Sequence, residues 1–470
     1  MEHLFEKEVR LGTFVRFVTP SVIMLIVIGL YYIIDSIFVS NFVGSDALAS
    51  LSIVYPIQGL VWGVSVMLAA GSSAIVAIKM GEGKQREANE KFTLICIVSA
   101  LIGLAMIILG FLFIDHLIGF LGATERLWEY CREYAQILIL AAPAAFLGVL
   151  FEYFIRVDGR PGFTLMLYLS GGIVHLALDY VFIVHWGWGI KGAAWATLAG
   201  MVTVMVIGAG YFIFQETKLK LVIPKWDLKY IAHSMLNGSS EMVSEASVGI
   251  TTFFFNMIVL RLADEDGVAA LSVVLNAHYL LISAHLGYIT GVAPLISYFY
   301  GAREFIKVNV FLKYSRVFML SSSVVIAILC FAFAPLIAQA FEPKGTAVYE
   351  MAETGVRFLS AAFLFTGVNI FASGFFTAYG NGQISALISL SRALIMVLVG
   401  AFALSWFFGL NGVWMTLAFA EITTTGLALF MFRKYKDKYH YDLLYRGDGK
   451  EGVPSGLPGD DKTTEAGCKI

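Results

Sequence analysis

Residues 44–54 read GSDALASLSIV, and a similar stretch, DEDGVAALSVV, occupies residues 264–274, which lie 220 positions further along the chain. The same offset places GIKG (189–192) on GLNG (409–412). An offset that stays constant over so long a stretch is not expected by chance. We therefore interpret the chain as two related halves joined in tandem.

Long apolar runs separated by short polar breaks fill both halves. They cover residues 14–38, 48–78, 92–114, 134–156, 163–184 and 191–214, and then 236–260, 269–298, 314–338, 356–379, 384–407 and 411–432. Each run reaches the roughly 20 residues that a helix needs to cross a bilayer. The predicted fold is an all-α membrane protein with twelve transmembrane helices. Because each half has an even number of spans, we expect two six-helix bundles related by a pseudo-two-fold axis along the membrane normal.

The composition is typical of a chain that lies mostly in lipid. Hydrophobic residues make up 59% of the 470 residues, charged residues only 14%, and the mean hydropathy is +0.79. A soluble domain of this length needs more charge to cover its surface. The net charge of −2 provides no basic surface for a nucleic acid. The expected partner is therefore the lipid bilayer, and a nucleic acid is excluded.

Polar segments set the predicted domain boundaries. Residues 1–214 form the first predicted lobe, the N-lobe, and residues 236–435 form the second, the C-lobe. Between them, residues 215–235 are rich in lysine and contain Pro224, so we expect a cytoplasmic linker. Residues 436–470 become rich in Gly, Pro and Asp. Such a composition buries too little apolar surface to fold, and we expect a disordered cytoplasmic tail.

Lysine and arginine residues are distributed unequally between the two sides of the predicted bundles. With the N-terminus inside, the inner segments contain Lys79, Lys84, Arg86, Lys91, Arg156, Arg160, Lys218, Lys220, Lys225, Lys229, Arg303, Lys307, Lys313, Arg316, Arg433, Lys434, Lys436 and Lys438. The outer loops carry only a few, such as Arg126 and Lys344. By the positive-inside rule, both termini are expected in the cytoplasm, in a multi-pass protein of the cell (inner or plasma) membrane.

Five polar residues of the N-lobe lie at similar depths in their predicted spans. Asp35 and Asp179 precede the outer ends of their spans by a little more than one turn, and Thr197 follows the outer start of its span by a similar distance. All three therefore lie roughly 8–9 Å below the outer surface. His175 lies one turn from Asp179 on the same helix face, and Gln58 lies at a comparable depth. We expect these five residues to form a cation-coupling site.

The chemistry of this set suits a small cation. Two carboxylates in a low-dielectric pocket do not both ionise cheaply, so one of them would hold a proton near neutral pH. Sodium is the alternative, because the oxygens of Asp35, Asp179 and Thr197 are suitable ligands for it. A second interpretation is structural: the two aspartates would satisfy helix breaks and have no coupling role.

The repeat provides an internal control for this site. At an offset of 220, Asp35, His175, Asp179 and Thr197 correspond to Phe255, Ile395, Val399 and Leu417. The C-lobe therefore lacks the set. A polar group with a purely structural role is expected in both halves, so its loss from one half favours a task that is performed once.

Acidic and amide residues of the C-lobe are candidates for substrate binding. Glu241 and Glu245 lie one turn apart near the predicted inner end of the seventh span, where they would attract cationic compounds from the cytoplasm. Glu241 is also interpretable as a solvated residue near the helix start. Asn256 and Asn276 would hydrogen-bond a substrate or tie helices together.

Other ionisable residues in the predicted spans are left without an assigned role. His278 and His285 lie two turns apart with no carboxylate at ligand spacing, so no metal site is expected. Arg392 and Glu421 have the charges to pair, but the sequence does not fix that pairing. Arg156 is interpreted as an anchor whose side chain reaches the inner surface of the membrane.

Motifs of common enzymes are absent from the sequence. There is no GxxxxGK[ST], HExxH or GxSxG segment. We therefore expect a protein that is not an enzyme, that needs no cofactor, and that obtains energy from an ion gradient of H⁺ or Na⁺.

Several stretches resemble one family of transporters. They are DSIFVSNFVGSDALASLSIVYP (35–56), RVDGRPG (156–162), LDYVFIVHWGWGIKGAAWAT (178–197) and APLISYFYGA (293–302). Together they resemble the MATE family of multidrug and toxic-compound exporters, and within it the bacterial branch of DinF- and MepA-type proteins. The resemblance covers nearly all of residues 10–435. It implies twelve helices in two bundles that exchange H⁺ or Na⁺ for organic compounds, often cationic and aromatic.

The resemblance also implies roles for individual residues. The cation site of the family's first lobe corresponds to Asp35, Asp179 and Thr197. The position of His175 is commonly Asn in the family, and the imidazole weakens a sodium site and favours protons because it titrates near neutral pH. The family's acid in the seventh span is matched by Glu245.

Two other functions are compatible with this architecture. A flippase of lipid-linked saccharides, from the same superfamily, would have several Arg or Lys residues along its cavity, and the spans contain almost none. A receptor or sensor that transports nothing would leave the polar set of the N-lobe unexplained. We expect a multidrug exporter that takes small organic substrates and acts as a monomer.

Overall fold

Helices make up nearly all of the computed structural model, which describes residues 9–442 and residue 445. Side chains at positions 32–37, 39–41, 45 and 48 fall outside the described part. The first half contains α1 (Leu11–Phe42), α2 (Ser45–Gly81), α3 (Gln85–Phe120), α4 (Trp128–Leu140), α5 (Ala142–Val157), α6 (Pro161–Asp179), a π-helical turn (Tyr180–His185) and α7 (Ile190–Phe214). The second half contains α8 (Leu228–Gly301), α9 (Phe305–Ala332), α10 (Ala334–Phe341), α11 (Ala347–Ala378), α12 (Gly382–Leu390), a π-helical turn (Ser391–Ile395), α13 (Met396–Phe408) and α14 (Leu410–Tyr439).

Most of these helices are long and apolar enough to cross a bilayer. Within the described residues, 10 helices pass this test, or 11 when α4 and α5, which meet at a bend of 47°, are counted as one broken span. The chain is therefore a multi-pass α-helical membrane protein. The bend lies at Ala141, just before Pro143, which has no backbone N–H to continue the helix ladder.

Helix α8 contains a sharp break in its middle. Its 74 residues would extend about 110 Å if they were straight, far more than the roughly 30 Å of a bilayer core. Ala263 and Asp264 have non-helical dihedral angles, with a φ of 50° at Asp264. A Cβ on Gly267 would meet the side chains of Ala263 and Val259, although residues eight apart in a straight helix are separated by about 12 Å. The chain therefore turns sharply at this break.

Two helices extend past predicted domain boundaries into segments that were expected to be irregular. Helix α8 starts at Leu228, so the last eight residues of the predicted 215–235 linker are helical. Helix α14 runs to Tyr439, four residues past the predicted end of the C-lobe at 435. Beyond it, Tyr441 is only 2% exposed and donates a hydrogen bond to the carbonyl of Phe432 at 2.6 Å. Residues 446–470 lie outside the described part.

The two halves meet through close backbone contacts between α2 and α8. A Cβ on Gly81 would collide with the carbonyl oxygen of Tyr298, and a Cβ on Gly301 would collide with that of Ile78. These contacts exchange under the offset of 220 positions, since 78 corresponds to 298 and 81 to 301. We call this end of the molecule, where α2 and α8 both finish, the inner end.

A second contact between the same helices lies further into the bundle. Gly71 and Gly238 approach so closely that neither has room for a Cβ. Asn237 is fully buried beside them, and its amide donates to the carbonyls of Gly71 (3.2 Å) and Thr377 (3.0 Å). The halves are thus tightly closed along the inner part of α2.

Candidate functional site

The carboxylate of Asp179 lies at a change of helix type. Helix α6 ends at Asp179, and the π-helical turn Tyr180–His185 begins immediately after it, which widens the backbone there. Asp179 is 0% exposed and His175, one turn earlier, is 5% exposed. The two side chains are in contact, with His175 Nε2 lying 3.1 Å from Asp179 Oδ2. Despite this contact, neither Oδ1 nor Oδ2 has a hydrogen-bond partner in the described part of the chain.

Thr197 of α7 completes the group that the structure brings together. Its Oγ1 lies 3.2 Å from His175 Nε2 and 3.0 Å from the carbonyl oxygen of Ala193. The hydroxyl has one hydrogen, and donation to Ala193 leaves its oxygen as an acceptor, which fits an imidazole protonated on Nε2. Helices α6 and α7 approach closely because the facing residues, Gly171 and Gly200, have no side chains.

Two other predicted members of the site lie on α1 and α2. Asp35 lies one turn after Tyr31 on α1, and its side chain is outside the described residues. The ring of Tyr31 packs edge-on against His175 with centroids 4.9 Å apart, so α1 borders the site. Gln58 is half-buried on α2, 13 residues from Ser45. No hydrogen bond joins it to the site among the described side chains, and its place in the set stays a prediction.

Glu241 and Glu245 lie deep in the bundle rather than near a helix start. Since α8 begins at Leu228, Glu241 is 13 residues into the helix, or about 20 Å. It lines a cavity of about 40 Å³ between the two halves, together with Tyr153 of α5 and Thr290 further along α8. A cavity of this size accommodates an enclosed water molecule.

Glu245 lies one turn beyond Glu241 and is half-buried against α2. Its Cβ lies 3.3 Å from the place where a Cβ on Gly63 would be. Of the two predicted amides, Asn256 is half-buried. Asn276 is exposed, and its Nδ2 donates to the carbonyl of Ser272 at 2.9 Å. The four candidates for substrate binding are therefore spread along both segments of α8.

A second buried polar network lies in the second half. Arg392, in the π-helical turn after α12, places Nη1 3.3 Å from Glu421 Oε1 on α14. Asn369 of α11 donates to Glu421 Oε2 at 2.6 Å and to its carbonyl at 2.8 Å. Thr425 donates to Asn369 Oδ1 at 3.1 Å. The sequence left this pairing open, because the partners lie 29 to 56 positions apart and no motif links them.

Arg156 is buried, and the interpretation of it as a surface anchor is wrong. Its side chain is fully buried and forms an ion pair with Glu152 one turn earlier on α5. Its guanidinium also lies over the ring of Tyr153, 4.5 Å from the centroid. The charge of this buried arginine is therefore compensated by a neighbouring carboxylate and not by lipid headgroups. The spacing Glu152–Arg156 was the signal that could have found this pair.

The two histidines of α8 occupy separate environments. The His285 Nε2 lies 3.1 Å from the hydroxyl of Ser322. The ring of His278 packs 5.9 Å from that of Phe363. Within the described residues, no group of three or more His, Cys, Asp or Glu side chains is placed to hold a metal ion.

Comparisons with known proteins identify relatives along most of the chain. The MatE family profile matches residues 20–181 and 242–402, which together exceed half of the sequence. The multidrug export protein MepA of Staphylococcus aureus is 21% identical over 454 residues, covering 94% of this chain and 97% of the relative. MepA of Staphylococcus saprophyticus is 20% identical over the same shares.

Solved structures share the fold. A MATE protein crystallised in complex with MaL6 superposes with a TM-score of 0.87 at 22% identity, over 91% of this chain and 96% of that chain. An outward-facing multidrug resistance MATE transporter of the MOP superfamily gives 0.85 at 24% identity, over the same shares. A MOP superfamily transporter from Pyrococcus furiosus, described as having a binding pocket of reverse polarity, gives 0.85 at 23%, again over those shares.

Proposed function

Because the chain belongs to the MatE family, we propose that it is a secondary active exporter that moves organic, often cationic and aromatic compounds out of the cell in exchange for a small cation. The chain is a transporter and not an enzyme, and its substrates are small molecules, as the multidrug export relatives indicate. The exchange reaction and its ion are the proposed parts.

The buried group formed by Asp179, His175 and Thr197 carries this proposal. A carboxylate with an unpartnered oxygen, 0% exposed and next to an imidazole, is costly inside a membrane protein unless it has a task. Binding and releasing a small cation is such a task. Asp35, one turn beyond the tyrosine that packs on His175, is proposed as the second acid of the site.

The ligand types favour H⁺ over Na⁺ as the coupling ion. Carboxylate and hydroxyl oxygens, as in Asp35, Asp179 and Thr197, suit either ion. The imidazole of His175 lies 3.1 Å from Asp179 and offers a nitrogen where sodium prefers oxygen, and a ring nitrogen is a ready proton acceptor. Sodium remains the competing ion that the experiment below distinguishes.

The architecture proposed for transport has twelve spans in two lobes, residues 1–214 and 236–435, related by a pseudo-two-fold axis. The break in α8 would divide that helix into two spans, which brings the number to twelve. The two matched family segments are offset by about the same distance as the internal repeat. Reciprocal contacts of Gly81 and Gly301 are what such an axis produces. Both termini are proposed to lie in the cytoplasm of a monomer in the cell membrane.

Substrate would bind between the lobes, at acids of the second half. Glu245 lies against α2 of the first half, and Glu241 faces the cavity between the halves, so both would attract a cation when the lobes separate. Asn256 and Asn276 are proposed to hydrogen-bond the substrate. Because the lobes are closed along the inner part of α2, the structure would correspond to the state that faces outward, and rocking would expose the acids to the other side.

Transport in proteoliposomes tests the proposal. We expect a pH gradient, acid on the side that receives the substrate, to drive export of ethidium, and a sodium gradient alone to drive it weakly or not at all. Asp35→Asn should express normally and lose gradient-driven export. Wild-type rates in that variant would refute the coupling role. Export driven by a sodium gradient alone would show that the coupling ion is Na⁺ and not H⁺.

A further inference from the structure

The segment that joins the two halves, residues 215–227, is fixed along the first half rather than hanging free. We call it the strap. The backbone N–H groups of Lys218 and Leu219 donate to Asp158 Oδ1 at 2.7 and 3.3 Å. Leu219 itself is 0% exposed. Asp158 lies in the turn between α5 and α6, so the strap is held to that turn.

The strap also pairs with the start of α3. Lys220 N–H donates to Asn89 Oδ1 at 3.2 Å, and Val222 N–H donates to Thr93 Oγ1 at 3.0 Å. In each of these bonds, a backbone N–H of the strap donates to a side chain of the first half. The backbone of the strap is thus fixed against the first half by residues 218–222.

Large apolar side chains in the strap and immediately next to it are exposed. Ile223 is 94% exposed, Trp226 is 65% exposed, and Leu228, at the start of α8, is 76% exposed. Phe214, the last residue of α7, is 86% exposed. No described part of the chain covers them. Such residues at helix ends, with a tryptophan among them, are typical of the membrane–water interface.

Cationic side chains accompany this apolar face. They are Lys218, Lys220, Lys225 and Lys229. None has an acidic partner within 4 Å among the described residues. The acid Asp227 is already engaged, because it accepts from the Tyr230 N–H at 2.9 Å and lies 3.2 Å from Lys91 Nζ. The Tyr230 amide and Lys91 hold the pKa of Asp227 below its ordinary value, so the charge of this acid is already compensated.

We propose that the strap is a binding surface for the anionic phospholipid headgroups of the bilayer at the inner end. Its apolar side chains would enter the boundary between headgroups and acyl chains, and the lysines beside them would bind phosphates. The strap is held to the first half and continues directly into α8 of the second. Bound lipid would therefore contact the joint between the halves.

Fluorescence in nanodiscs tests this surface directly. Two nanodisc samples are compared, both with phosphatidylcholine as the main lipid. One contains a minor fraction of brominated phosphatidylglycerol, and the other contains the same fraction of brominated phosphatidylcholine. In both, the bromines lie near the carbonyl end of the acyl chains. Of the 8 tryptophans, the contribution of Trp226 is obtained by subtracting the signal of Trp226→Phe. We expect brominated phosphatidylglycerol to quench Trp226 at least about twofold more than brominated phosphatidylcholine. Salt of about 1 M, where the Debye length is near 3 Å, should abolish the difference.

Two charge variants complete the test. Replacing the three lysines of the strap and Lys229 at the start of α8 by Gln should remove the preference for the anionic lipid and leave the quenching of Trp226 itself. A matched variant neutralises four cations at the end of α14, and it should keep the preference; its positions are Arg433, Lys434, Lys436 and Lys438. Equal quenching by both lipids in the wild type would overturn headgroup recognition. An absence of quenching by either would place the strap in water or against another protein and would overturn the proposal.

Discussion

Asp179 in the first half and Glu421 in the second are both buried carboxylates, and the two are compensated in different ways. In the first half, Asp179 Oδ2 lies 3.1 Å from the imidazole of His175, and neither carboxylate oxygen has a hydrogen-bond partner among the described residues. In the second half, both oxygens of Glu421 are engaged, one by Arg392 and the other by Asn369. The first acid has capacity for an external cation, whereas the second already holds an internal one.

The difference follows from the chemistry of the partners. An imidazole gains and loses its proton near neutral pH, but a guanidinium stays charged under all physiological conditions. At an offset of 220 the positions of Arg392 and Glu421 are occupied by Gly172 and Met201. The two polar groups are therefore not repeat partners, and our proposal assigns cation exchange to the one in the first half.

Replacing the acid of each group by its amide is the strongest test of whether the two groups have different roles. Asp179→Asn should reduce export driven by a pH gradient to the rate of protein-free liposomes, because the site loses the group that holds the cation. Its free energy of unfolding should stay within about 1 kcal/mol of the wild type, since the side chain keeps its volume and makes no hydrogen bond with Oδ1. Ethidium efflux and unfolding in a denaturing detergent measure the two effects.

Glu421→Gln is the control for Asp179→Asn. It should lower stability while the protein that remains folded still exports ethidium in response to the gradient. Gradient-driven export by Asp179→Asn, or its complete loss from folded Glu421→Gln, would show that the two groups do not divide these roles.

Truncation of Glu421 gives the next largest effect. Glu421→Ala leaves Arg392 buried without a countercharge, and we expect a loss of about 3–5 kcal/mol in the free energy of unfolding. Asp179→Ala should cost far less, because it leaves no permanently charged guanidinium without a countercharge and neither oxygen of Asp179 makes a hydrogen bond among the described residues. Arg392→Met added to Glu421→Ala should restore most of the lost stability. A single Glu421→Ala variant as stable as the wild type would contradict the internal-cation interpretation.

The sequence predicted the helical architecture and the transporter family well, since long apolar runs leave few alternatives. The assignment to the MATE family, made from short motifs, is confirmed by the family profile. Helix ends were predicted less well. The 236–260 part of α8 reads as a span, but its first turns at Leu228 belong to a lysine-rich segment whose helicity depends on Asp227 as N-cap and on packing against α3.

The candidate site was predictable where a single helix supplies the geometry. His175 and Asp179 are one turn apart, so their contact follows from the helix repeat. Thr197 was grouped with them only because it lies at a similar depth in its span. Depth gives position along a helix but not rotation around it, so the place of Gln58 in the set stays a prediction. The Arg392–Glu421 pair was not predictable either, since it depends on how α14 packs against a π-helical turn.

Exchanging the histidines of the two halves for asparagine should separate proton coupling from structure. His175→Asn places a neutral oxygen where the imidazole was, so export driven by a sodium gradient should rise about tenfold relative to the wild type, within the range of coupling energies between bound ligands. The dependence of export on pH should become shallower, because one titrating group is lost. His285→Asn, at a buried histidine that contacts Ser322, should change neither property. An unchanged ion preference in His175→Asn would argue that the imidazole only fills space.

The smallest expected effect separates two threonines with the same local hydrogen bond. Thr197 and Thr416 both contact the carbonyl four residues earlier, at 3.0 Å in each case, but only Thr197 also reaches a histidine. Thr197→Val removes a hydrogen bond to the coupling group, worth about 1 kcal/mol, so export should fall about threefold to fivefold. Thr416→Val removes only a bond within its own helix and should leave export within about twofold, because such bonds contribute little to helix stability. Equal losses in the two variants would mean that the contact with His175 has no part in transport, and the site would then reduce to its carboxylates.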